Sequence, residues 1–144
     1  MNQKTIHNFI WAPIFLIGVV PLAFGFIWIL HPEPWLLDQP ANEALLQTSF
    51  NELFSDDANK FLPSYLIVIY RFFGLWLITI GLLVLSYVKI TKLGTKQARL
   101  SIHLTLSLTL ISMYFLIFKY LPTSPLIPTL YIFTLLLSLS IYFS

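Results

Sequence analysis

The 144-residue chain contains no cysteine. Disulfides, thiol chemistry, Cys-ligated zinc and Cys-held iron–sulfur clusters are thereby excluded. Charge is nearly as scarce. Only 10% of residues are charged, against roughly a quarter in an ordinary soluble domain. Acid is confined to one stretch, where Glu33, Asp38, Glu43, Glu52, Asp56 and Asp57 supply every carboxylate side chain. The long apolar runs contain none, so a proton or cation path has no buried carboxylate to use. No nucleophile–base constellation is present, and the short basic loop has no aromatics on which to stack bases, which excludes nucleic acid as a partner.

What remains is apolar: 58% of residues, at a mean hydropathy of +0.83. Four runs, residues 9–30, 64–88, 100–121 and 125–143, approach the ~20 residues needed to cross a ~30 Å hydrocarbon core. The pattern predicts one domain over residues 1–144, an all-α integral membrane protein built as a four-transmembrane-helix bundle. Residues 9–30 exceed a signal-peptide core and lack a small-residue cleavage pattern, so they are expected to be a retained span.

Charge position predicts orientation. The loop from Lys89 to Arg99 carries Lys89, Lys92, Lys96 and Arg99 and no acid, and Lys4 and His7 precede the first run. Lys and Arg are retained on the cytoplasmic side. Both termini are therefore expected inside and loop 31–63 outside, in a membrane such as the bacterial inner membrane. The basic loop is suited to anionic lipid headgroups.

The outer loop opens with the Pro-punctuated stretch 31–40, in which Trp35, Leu36 and Leu37 read as an interfacial anchor. Residues 42–54 place Leu45, Leu46, Phe50, Leu53 and Phe54 at helical spacing, which predicts one amphipathic helix with Asn42 as its N-cap. Ser55, Asp56 and Asp57 read as the cap of a short turn.

Within the runs, Gly18, Pro21 and Gly25 share a helical face, where Pro21 removes a backbone hydrogen bond and the glycines permit close approach. Arg71, Gly74, Ile78 and Gly81 fall in one stripe, which predicts an arginine turned into the bundle about 10 Å below Ser64. There Arg71 would either reach the surface to pair with Glu52, Asp56 or Asp57, or hold an anionic group with Trp76, His31 and Lys119 around it and Phe72 nearby. Ser101, Thr105, Thr109 and Ser112 form a hydroxyl stripe facing a second one at Tyr131, Thr134, Ser138 and Tyr142, read as helix–helix glue. His7 and His103 lie at one level and are candidate haem ligands. No cofactor or metal is otherwise expected. His31 and Glu33 show no ligand spacing.

The stretch Arg71-x-x-Gly74-x-x-Leu77-x-x-x-Gly81-Leu82-Leu83 resembles small bacterial four-helix membrane proteins of the DoxX-like type. That resemblance implies a compact bundle, with redox or quinone-linked partners in some members. This chain differs in its lack of cysteine and its longer acidic outer loop. Three functions follow as expectations. The first is a non-enzymatic accessory subunit that contacts lipids and other membrane subunits, or a second copy of itself. The second is a lipid- or quinone-binding protein, with or without enzymatic activity, with its anionic site at Arg71 beneath the outer helix. The third is a small transporter.

Overall fold

The computed structural model describes residues 2–144, and those residues form helices and turns with no strand. Helices α1 (Gln3–Leu30), α4 (Leu62–Thr91), α5 (Lys96–Tyr120) and α6 (Ile127–Phe143) make the body, while α2 (Gln39–Leu46) and α3 (Phe50–Ser55) lie between α1 and α4. Three of the long helices, α1, α4 and α5, are long and apolar enough to cross a membrane. Helix α6 has 17 residues, about 25 Å at 1.5 Å per residue, slightly short of a ~30 Å core.

Polar residues set the helix ends beyond the apolar runs. Asn2 accepts from the Lys4 N–H at 3.0 Å, so α1 starts six residues before Phe9. Thr95 accepts from the Ala98 N–H at 3.1 Å and opens α5 within the basic loop. Helix α4 stops where Lys92 and Leu93 turn left-handed (φ 47° and 51°).

The body is ordered α4–α1–α6–α5, with α1 packed on α4 at one flank and on α6 at the other. The α1–α4 contact is antiparallel and glycine-paired. A β-carbon on Gly25 would fall 2.5 Å from the Gly74 carbonyl oxygen, and one on Gly81 would fall 2.8 Å from the Gly18 carbonyl oxygen. Seven residues separate the glycines on each helix, two turns of a coiled-coil-like repeat, so both pairs lie on one seam. Ile10, Ile14, Ile17, Val84, Val88, Leu93, Ile102, Leu110, Ile117, Leu130 and Leu137 form the core.

The α6 flank is joined by polar groups. Ser140, fully buried, donates to the Ile10 carbonyl at 2.6 Å and lies 2.9 Å from His103 Nε2. One hydroxyl thus links α1, α5 and α6. The hydroxyl stripes do not face one another as expected. Thr105 and Thr109 donate back to Ser101 and Thr105 carbonyls in their own helix, which satisfies them without a partner helix. Tyr142 and Ser138 are exposed. The actual bond between α5 and α6 in this region runs from Tyr114 to Thr134, 2.9 Å apart.

The acidic segment is a folded cap rather than one amphipathic helix. Gln47, left-handed at φ 56°, ends α2, and Ser49 caps α3 by accepting from the Glu52 N–H. Trp35 is not a surface anchor. It is 4% exposed and stands edge to face with Phe50 and Phe54, whose own rings are stacked. Asn42 lies inside α2 and bonds Asp38 and Tyr70. Asp56 does cap the following turn, accepting from the Ala58 N–H.

Candidate functional site

The site follows from which helix pairs touch. Among the described residues α4 and α5 are not closely packed along their length, although a short turn joins them. Tyr87 donates to the Ala98 carbonyl at 3.0 Å and Arg99 donates to the Leu93 and Gly94 carbonyls, which ties the two helices at that end. Beyond the tie they leave a cavity of about 160 Å³ backed by α1 and α6. Its walls include Pro21, Phe24 and Trp28 from α1, Phe73, Leu77 and Ile80 from α4, Leu106, Leu110 and Met113 from α5, and Leu130 and Phe133 from α6.

Trp28 is one of the lining residues, and Thr109 and Thr129 are the lining residues that carry hydroxyls. Trp28 is 5% exposed, and its Nε1 is buried with no hydrogen-bond partner among the described residues. Phe24 and Phe73 stand edge to face with its ring at 6.0 and 5.4 Å. An aromatic face is a weak acceptor, so the N–H retains most of the cost of an unmade bond, about 1–3 kcal/mol. The cavity, with its almost wholly apolar surface, therefore suits an apolar molecule. A void of about 150 Å³ is enough for a single benzene-sized ring.

The expected site residues are dispersed. Arg71 is exposed. The buried stripe of α4 runs through Gly74, Gly81, Val84 and Val88, with Tyr70 in register, and Arg71 lies one residue, about 100°, off that line. The expectation of an inward-facing arginine is corrected accordingly. Trp76 is 57% exposed beside Phe72. His31 Nδ1 accepts from the Glu33 N–H at 3.1 Å. Lys119 lies over the Phe115 and Tyr120 rings. Neither this cavity nor a second groove described below is lined by Arg71, Trp76, His31 or Lys119. Gly18, Gly25, Gly74 and Gly81 lie in the α1–α4 seam, and Pro21 lines the cavity.

The two candidate haem ligands have separate surroundings. His7 lines the groove between α1 and α4, while His103 Nε2 is engaged by Ser140 between α5 and α6. No cluster of three potential metal ligands occurs among the described residues.

The cap is fastened to α4 by a small polar network. Tyr70 donates to Asp38 at 3.0 Å, and Asn42 Nδ2 lies 2.6 Å from both the Asp38 carboxylate and the Tyr70 oxygen. Burial pushes the Asp38 carboxyl above its ordinary value, and the hydrogen bonds from Tyr70 and Asn42 partly oppose this. Glu43 is held below its ordinary value because it accepts from the Phe50 N–H and from Gln39. These carboxylates staple α2 to α3 and to α4, and neither reaches the cavity lining.

Comparison with family models, curated proteins and solved structures finds no match to this chain.

Proposed function

We propose that this is an integral membrane protein of four spans that accommodates a lipophilic molecule between α4 and α5. Both termini and the basic turn face the cytoplasm, and the acidic cap faces outside. Five of the eight Lys and Arg residues (Lys4, Lys89, Lys92, Lys96, Arg99) support this orientation. The observation that carries the binding reading is a cavity with an almost wholly apolar surface whose wall includes Trp28, a residue with a buried and unpartnered N–H. Trp28 is two residues from the cap end of α1, at the depth where a lipid's ester or a quinone's carbonyl meets the interface. The gap between α4 and α5 gives a tail access from the bilayer without passage through water. The ligand's polar recognition thus rests on an indole, and Arg71 has no part in it.

The test is extraction of the protein in mild detergent, followed by native mass spectrometry and organic-solvent analysis of whatever co-purifies. A stoichiometric lipophile carrying a carbonyl or ester is expected on the wild type. The Trp28→Phe variant keeps the ring and removes the donor, so its retention should fall roughly tenfold, the equivalent of about 1.4 kcal/mol for one hydrogen bond. Unchanged retention in Trp28→Phe would remove the basis of the reading.

One observation favours a second reading, that of an accessory subunit. Large apolar side chains are exposed on the outer faces of α4 and α5, among them Phe72, Trp76, Leu83, Leu104, Leu108 and Ile111, a surface that a partner's helix would cover. A stoichiometric polypeptide in the same spectrum, with no lipophile, would select it.

A further inference from the structure

A second concavity lies on the opposite flank of α4, at the basic end. It is a groove of about 530 Å³ between α1 and α4, lined by His7, Trp11, Phe15, Leu85, Ser86, Val88, Lys89 and Lys92. We infer that this groove seats an anionic glycerophospholipid of the cytoplasmic leaflet, with its phosphate at Lys89, Lys92 and His7 and an acyl chain along Trp11, Phe15 and Leu85. The inference rests on the membrane orientation proposed above but not on the Trp28 cavity.

Three observations support it. First, cationic and apolar residues occur together in one concavity. Lys89 is one turn before Lys92, so both rise from the same end of α4 above an aromatic wall from α1. Second, the turn that carries Lys92 is rigid. Leu93 is fully buried, and Arg99 is committed to the Leu93 and Gly94 carbonyls. Lys89 and Lys92 are therefore carried by ordered backbone, and of the other two cations of the loop Arg99 is engaged while Lys96 lies outside the groove. Third, the charge balance discriminates between lipids. Every carboxylate side chain lies between residues 33 and 57, at the other end of a 30-residue helix, about 45 Å away by helical rise. A zwitterionic headgroup would bring its ammonium to Lys89 and Lys92 with no acid to accept it, whereas an anionic headgroup meets cations alone. Juxtamembrane Lys and Arg favour anionic lipid by an amount that compounds with each residue.

The experiment is native mass spectrometry of the purified full-length protein titrated with phosphatidylglycerol and phosphatidylcholine of identical chains. The expected result is a roughly tenfold preference for phosphatidylglycerol, in keeping with two lysines at a charged interface. The preference should be lost in Lys89→Gln/Lys92→Gln and kept in Lys96→Gln, which lies in the same loop outside the groove. Ser86→Trp, which fills the groove and leaves all charges in place, should also lose it. Equal retention of the two lipids by the wild type would overturn the inference. So would loss in Lys96→Gln as large as in the double variant, or a preference that survives Ser86→Trp, since each points to diffuse charge. Trp28→Phe should leave this preference unchanged, so failure of the cavity reading and failure of the groove reading appear in different variants.

Discussion

Along its α1 side, helix α4 sets Gly74 and Gly81 against backbone, whereas along its α5 side it turns Phe73, Leu77 and Ile80 toward a cavity. The first interface is made of atoms that cannot move independently of the helix axes. Main-chain carbonyls meet α-carbons, and one added methyl group would overlap them. The second is made of rotatable side chains around a void, with Met113, the most adaptable apolar side chain, among them. The same helix is thus fixed on one flank and compliant on the other. Rigidity where backbones meet leaves any adjustment to a guest to α5.

The sharpest way to break this comparison is to crowd the rigid flank. Gly25→Leu places a side chain where the Gly74 carbonyl and Ile78 backbone already stand, and should cost about 3 kcal/mol or more. It should be read as a large loss of thermal stability in detergent. Gly94→Ala is the control, because its nearest new contact is 3.6 Å away, and it should leave the melting temperature unchanged. A smaller effect is expected at the joint between the halves. Ser140→Ala leaves the Ile10 carbonyl and His103 without their shared partner, and should cost about 1–2 kcal/mol. The stability loss should be accompanied by easier disulfide trapping between cysteines introduced on α5 and α4, as α5 loosens. The smallest effect belongs to the compliant flank. Leu110→Phe extends a cavity wall into open space, and should change stability by less than about 1.5 kcal/mol in either direction while reducing lipophile uptake. A destabilisation as large as that of Gly25→Leu would show that the α5 side has no spare room.

The helical class and the long apolar helices were legible because hydropathy acts over a whole segment. The glycine spacing was legible for a similar reason: 18/25 and 74/81 share a seven-residue interval, and small residues at that interval have few uses besides helix contact. Arg71 was misplaced because Gly74, Ile78 and Gly81 lie on an arc broad enough to include it, and only the partner helix decides which edge of the arc is buried. The cap was misread at Gln47, where a left-handed residue splits one amphipathic pattern into two helices without any glycine to announce it. Trp28 gave no signal, since an indole in an apolar run is ordinary until its N–H is seen to lack a partner. The cavity is a property of a helix pair that does not touch, and no periodicity within one helix reports that.

Helix α6 has the further consequence of making the position of α5 depend on residues far along the chain. Among the described residues helix α5 packs closely along its length only on α6, and the Ser140 hydroxyl bonds groups on both α1 and α5. The α1–α4 glycine contact needs nothing from α6, whereas His103 on α5 has its partner Ser140 there. Truncation before residue 127 would therefore remove the helix that packs on both α1 and α5, together with the hydroxyl that links them.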